Sequence, residues 1–197
     1  ALVSAAGMEI HKAKGRLSVL SAQIDEGKKM TETAGIGHTR WATHGKPSDE
    51  NSHPHRSASG KFAVVHNGII ENYAVIKKQL QEEGVEFLSE TDTEVVAQLL
   101  DKYYTGDFFA AVRSAVAQLE GSYALGVLCA DFPEEMIAVR NASPLIVGLS
   151  DEGNFIASDI PAVLAHTRRI LQLADHEMVR LTKDSAQVFD AHGMPVN

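Results

Sequence analysis

The sequence predicts an α+β fold built on antiparallel sheets. Helical patterns dominate residues 72–119, and from Ser122 onward the apolar runs are short and bounded by turn residues. No regular strand–helix–strand alternation joins the two halves, so hairpin-linked pairing is expected in place of a parallel βαβ sheet.

In chain order, Leu2, Val3 and Met8, Ile10 flank Ala5-Ala6-Gly7 as the arms of a hairpin. Leu17, Leu20 and Ile24 recur at helical spacing and stop at Gly27, predicting a short helix. Ala34-Gly35-Ile36-Gly37 reads as a small-residue strand, and residues 42–60 as a long polar loop, which inside a compact domain is functional or disordered. Phe62 to Val65 predicts a buried strand ending at His66-Asn67-Gly68. Asn72 is placed to cap a helix that presents Ile76 and Leu80 and finishes at Gly84. Thr91 followed by Glu94 is a capping-box pattern opening a helix through Val95, Val96, Leu99, Leu100 and Tyr103, and a further helix is expected from Asp107 to Leu119. The strands then expected are Ser122–Ala130, Met136–Arg140, Leu145–Leu149, Asn154–Ala157, Ile170–Leu173, Met178–Thr182 and Val188–Asp190.

A chain of 197 residues fits one domain with a real core. Its net charge of -8 argues against phosphate backbones and anionic lipid, so neither nucleic acid nor a membrane is expected as a partner. No apolar run approaches the roughly 18 residues that span a bilayer, and no basic segment followed by an apolar one opens the chain. A single cysteine, Cys129, rules out an internal disulfide. A soluble, cytoplasmic protein is the expectation.

The chemistry concentrates in a few stretches. His38, His44, His53, His55 and His66 fall in one third of the chain, yet zinc spacings are absent and no carboxylate or cysteine sits at ligand spacing; no metal and no cofactor are expected. These imidazoles can instead hold an irregular loop through hydrogen bonds. Asn67-Gly68 has two readings: a hairpin turn, or an oxyanion hole in which an amide NH2 and a neighbouring backbone N–H face a developing alkoxide. Arg40 is either a surface ion-pair partner or a fork for a carboxylate, with Thr43 and His44 close by. Asp92 is either a helix-dipole carboxylate or an anionic contact for an ammonium. Together Arg40 and Asp92 would serve the two ends of a free amino acid. Cys129 lies in an apolar strand and reads as inert core.

The strings HTRWATHG (38–45), NSHPH (51–55), HNGIIEN (66–72) and SETDTE (89–94) resemble, in order, the glutaminase domain of the glucosamine-6-phosphate synthase family, which is a class II glutamine amidotransferase. The resemblance continues through RNASPL (140–145) and FIASD (155–159). It implies the N-terminal-nucleophile hydrolase fold, a four-layer αββα sandwich with two antiparallel sheets. It also implies hydrolysis of glutamine by an N-terminal cysteine whose own amino group is the base, with ammonia passed to an isomerase domain that makes glucosamine 6-phosphate from fructose 6-phosphate. On the matching positions Asn67 and Gly68 resemble the oxyanion hole, Arg40 the partner of the substrate α-carboxylate with Thr43 and His44 nearby, Asp92 that of the ammonium, and Trp41 the aromatic shield. L-glutamine or L-glutamate, an isomerase domain of the same polypeptide and a homodimer are the implied partners.

Residues 1–197 are thus expected to be a glutaminase domain whose cysteine-bearing first segment and following isomerase domain are not in the sequence, and which is inactive in that form. A non-catalytic glutamine- or glutamate-binding module and another class II amidotransferase are the alternatives.

Overall fold

The computed structural model describes residues 1–28, 30–40 and 45–196. The chain opens with the expected hairpin, β1 (Leu2–Ser4) and β2 (Gly7–Glu9), with Val3 opposite Met8. Helix α1 (Leu17–Gln23) follows and ends in a single 3-10 turn at Asp25–Gly27. Strand β3 (Ala34–Gly35) then pairs with the free side of β1. The spacing of Leu17 and Leu20 did mark a helix, but α1 buries none of its residues.

Two expectations are corrected in the next stretch. The polar region 42–60 contains a short strand, β4 (His55–Arg56). And β5 (Phe62–Ile70) does not stop at His66: it pairs with β6 (Gly121–Cys129) from Phe62↔Cys129 without a break to Ile70↔Gly121. Asn-Gly turns a chain when a second strand follows at once. Here β6 offers a full-length partner, so Asn67 and Gly68 stay in the ladder, with Gly68 absorbing φ +123°.

Helices α2 (Tyr73–Glu82), α3 (Glu94–Tyr103) and α4 (Phe108–Val116) come next, then β7 (Met136–Asn141), β8 (Ile146–Leu149), β9 (Asn154–Ala157), β10 (Arg169–Gln172), β11 (Met178–Leu181) and β12 (Ala186–Phe189). Asp107 caps α4 as a side chain, accepting the Ala110 N–H at 2.9 Å. Asn72 sits at the cap position of α2 without a capping bond; its amide instead spans to the Gln118 carbonyl and the Glu120 N–H. The Thr91–Glu94 capping box does not form either, because both side chains are used in the loop before α3.

Among the described residues the strands form a six-stranded sheet in the order β12-β11-β7-β6-β5-β4 and two three-stranded sheets, β2-β1-β3 and β10-β8-β9, every pairing antiparallel. Side chains alternate across the large sheet. Phe62, Val64, Leu125, Val127 and Val139 face α2, α3 and α4, where Leu80, Leu100 and Phe108 complete a core in which each large side chain contributes about 1.5–3 kcal/mol. Ala63, Val65 and Leu128 face the other way, onto Val3 and Ile36, while Ala138 and Val179 on the same face pack against Leu145 and Val147. The two small sheets therefore share one side of the large one, so the described residues form a helix layer and two sheet layers of the expected four-layer αββα sandwich, while α1 buries none of its residues. No helix among the described residues is long and apolar enough to cross a membrane.

Candidate active site

The site begins where β4 ends. This short strand covers the outer edge of β5 only at Ala63 and Val64. Beyond it the edge is taken up by side chains: the His66 N–H donates to His53 Nδ1 at 3.2 Å and the Ile70 N–H donates to Asp92 Oδ2 at 2.9 Å. Backbone donors alternate along an antiparallel strand, so the intervening Gly68 N–H projects from the same edge. A cavity of about 610 Å³ opens beside it, lined by Arg40, Asn67, Gly68, Asp92 and Ser158 among others.

Asp92 is held there by a buried carboxylate in the next turn. Glu94, 2 % exposed, accepts the Leu88 N–H at 2.9 Å, the Ser89 N–H at 2.6 Å and the Ser89 hydroxyl at 2.6 Å. These donors, with the Gln98 amide at 3.4 Å, offset the burial cost of the carboxylate and fold residues 88–93 into a fixed arch. Asp92 at its crown is 3 % exposed and has His66 Nδ1 4.0 Å from the oxygen that accepts Ile70.

Arg40 also lines this cavity. Its backbone is left-handed, φ +44°, a conformation that costs a non-glycine residue of order 1 kcal/mol, and its N–H donates to His38 Nδ1 at 2.9 Å. The guanidinium donates to the carbonyls of Gly45 at 3.1 Å and Lys46 at 3.4 Å. Asn51 ties that turn to the arch, donating to Lys46 and Glu90 and accepting the Glu90 N–H at 2.8 Å.

Asn67 points away from the helices, between the second sheet layer and the cavity. Its Oδ1 lies 2.6 Å from His38 Nε2, and its Nδ2 donates to Ser158 Oγ at 2.7 Å. Gly68 cannot be another residue: a Cβ there would lie 2.1 Å from the Ser122 carbonyl oxygen, and φ is +123°.

Behind this wall the imidazoles pack on one another. His53 stacks on His38 with centroids 4.2 Å apart and meets His55 edge-on at 4.9 Å. His55 Nε2 meets the Thr91 hydroxyl at 3.0 Å, and His66 Nδ1 meets that of Thr93 at 2.9 Å. Burial first, and then neighbouring positive groups, push His55 down to about 3 and His53 lower still. Burial also lowers His66, against the pull of Asp92. They are neutral structural rings joining the NSHPH loop to β5 and the arch. Among the described residues no group of three or more histidines, cysteines or carboxylates is arranged to hold a metal.

Of the residues singled out from sequence, the structure brings Arg40, Asn67, Gly68 and Asp92 to one cavity. Trp41, Thr43 and His44 lie outside the described residues. Cys129 is fully buried opposite Phe62 and faces the helices, and burial pushes its thiol up. It has neither the access nor the acidity of a nucleophile. Ser158 and the pairing of His38 with Asn67 were not foreseen. The string FIASD puts a serine just past a strand end, but nothing in the spacing ties it to Asn67, 91 residues away.

An amide donor, a backbone edge and two opposite charges on one cavity in a layered α+β domain suit an enzyme that handles an amino-acid amide. The family model for the glutamine amidotransferase domain matches residues 38–165, and the chain belongs to that family. Over 196 residues it is 56 % identical to glutamine–fructose-6-phosphate aminotransferase (isomerizing) of Caldanaerobacter subterraneus subsp. tengcongensis, covering 100 % of this chain and 32 % of that enzyme. The chain thus spans about a third of the length of such relatives. Among solved structures, glutamine phosphoribosylpyrophosphate amidotransferase from B. subtilis superposes with a TM-score of 0.67 at 24 % identity, over 78 % of this chain and 34 % of that one. An allosteric regulatory enzyme of purine biosynthesis gives 0.70 at 24 % identity, over 87 % of this chain and 38 % of that one. These likenesses identify the fold as that of the N-terminal-nucleophile amidotransferases.

Proposed function

We propose that this domain hydrolyses the side-chain amide of L-glutamine, and that the polypeptide to which it belongs passes the ammonia to fructose 6-phosphate to form glucosamine 6-phosphate. The observation that supports this most is the convergence of Arg40, Asp92, Asn67 and Gly68 on one cavity. Arg40 takes the α-carboxylate, giving up its carbonyl contacts at Gly45 and Lys46 for a charge-assisted pair. Asp92 takes the α-ammonium. With both ends held, the side-chain carbonyl lies toward β5, where the Asn67 NH2 and the Gly68 N–H stabilise the oxyanion formed on nucleophilic attack. Collapse of that intermediate breaks the C–N bond and leaves a glutamyl thioester; the departing nitrogen takes the proton that the cysteine's own amino group removed from the thiol and leaves as ammonia, and water then cleaves the thioester to glutamate and the free thiol. The attacking thiolate belongs to an N-terminal cysteine in this reading, and Cys129 takes no part. An isomerase domain in the same polypeptide, a homodimeric assembly and a cytoplasmic location complete the proposal.

The test is glutamate release from glutamine by the complete polypeptide, followed by Arg40→Ala. The variant should raise KM for glutamine strongly and leave the binding of fructose 6-phosphate unaltered. Equal effects on both substrates would remove Arg40 from the glutamine pocket.

A further inference from the structure

An amide donates to an oxyanion only if it faces the right way, and an asparagine side chain can flip its oxygen and nitrogen at little cost. The structure contains a device that prevents the flip. The Arg40 backbone N–H, 2.9 Å from His38 Nδ1, is a donor in every protonation state, so Nδ1 must be the acceptor. The neutral ring then carries its hydrogen on Nε2, 2.6 Å from the Asn67 side chain, and the atom of Asn67 that meets it must be Oδ1. That leaves Nδ2 turned to the cavity side, where it reaches Ser158 Oγ at 2.7 Å. The ring itself is held by stacking on His53.

We propose that His38 is a positioning residue for glutamine hydrolysis, donating from Nε2 to fix the Asn67 amide with its NH2 toward the oxyanion while its Nδ1 anchors the strained backbone of Arg40. One imidazole thereby sets both the donor to the reacting oxygen and the approach of the residue that grips the substrate carboxylate. This rests on the glutaminase reading of the same cavity.

Two substitutions separate the two bonds, because Asn reaches the position of Nδ1 and Gln that of Nε2. In the complete polypeptide, His38→Asn keeps an acceptor for Arg40 but loses the donor to Asn67. It should lower kcat for glutamine hydrolysis about 100-fold, the effect of losing an oxyanion donor, with KM changed less than about threefold. His38→Gln restores the donor and should recover about tenfold or more of that loss. In an Asn67→Ala background, His38→Asn should cost nothing further, since the amide it positions is gone. Wild-type kcat in His38→Asn, equal losses in the Asn and Gln variants, or additive losses with Asn67→Ala would overturn the proposal. Neutron diffraction from the wild-type polypeptide needs no variant: a hydrogen on Nε2 supports the proposal, and one on Nδ1 sinks it. Absence of glutamine hydrolysis by the wild type would overturn the functional reading itself, whereas wild-type turnover with an indifferent His38 removes only the positioning role.

Discussion

The carboxylate of Asp92 accepts the backbone N–H of Ile70 at 2.9 Å, so the group proposed to hold the substrate ammonium also bolts the arch before α3 to the edge of β5. The two duties are separable. Asp92→Asn keeps an oxygen for Ile70 and removes the charge. Losing a charge-assisted bond worth about 1.5–3 kcal/mol should raise KM for glutamine roughly tenfold to a hundredfold, with the urea midpoint nearly unmoved. A KM within twofold of wild type would leave Asp92 with a structural duty alone.

Gly68 permits no side chain. The Ser122 carbonyl would meet a Cβ at 2.1 Å, and the obstacle is backbone that cannot swing aside. Gly68→Ala should destabilise the domain by at least about 2 kcal/mol in urea unfolding, the sum of overpacking and a disfavoured φ. An unchanged midpoint would mean that β5 and β6 are not paired at this point as described.

Acid should weaken the fold in a defined window. Burial holds His53, His55 and His66 below their ordinary values, His55 at about 3, so between there and about pH 6.5 the unfolded chain binds protons that the folded chain excludes. Stability is therefore full above about pH 6.5 and falls below it, by about 1.4 kcal/mol per pH unit for each of His53 and His55, or about 3 kcal/mol for the two by pH 5.5, with His66 acting in the same direction. Urea titrations at pH 7.5 and 5.5 measure this before carboxylates begin to protonate. Equal stability at the two values would show that the rings are not buried as neutral groups.

Cys129 faces the helix core with no exposure. Cys129→Ala should cost about 1 kcal/mol of stability through the lost sulfur contacts and leave kcat for glutamine hydrolysis by the complete polypeptide unchanged. Loss of turnover in a folded variant would reinstate it as a nucleophile.

Much of the architecture was legible because its signals are local. From Gly121 on, short apolar runs and turn residues located each strand from β6 to β12 to within a residue or two. The misreadings came where a local signal has a tertiary competitor. Asn67-Gly68 has the composition of a turn, but β6 running alongside keeps it in the sheet. Thr91 and Glu94 have the spacing of a capping box, but His55 claims the threonine and the Ser89 backbone claims the glutamate. The site was legible by residue type and family resemblance: a fork, a carboxylate and an Asn-Gly pair. What joins them was not, because the His38–Asn67 bond spans 29 residues and the Asn67–Ser158 bond 91, and no periodicity records such a contact.

The assignment of Arg40 to one end of glutamine and Asp92 to the other is best tried by comparing three product-like acids as inhibitors of glutamine hydrolysis by the complete polypeptide. L-glutamate has both ends, 4-aminobutyrate lacks the α-carboxylate and glutarate lacks the ammonium. Both truncated acids should inhibit at least about 100-fold more weakly than glutamate, because each forgoes one of the two charge-assisted contacts that hold the ends of the substrate. Inhibition by either one as strong as that by glutamate would mean that the corresponding residue does not hold the substrate.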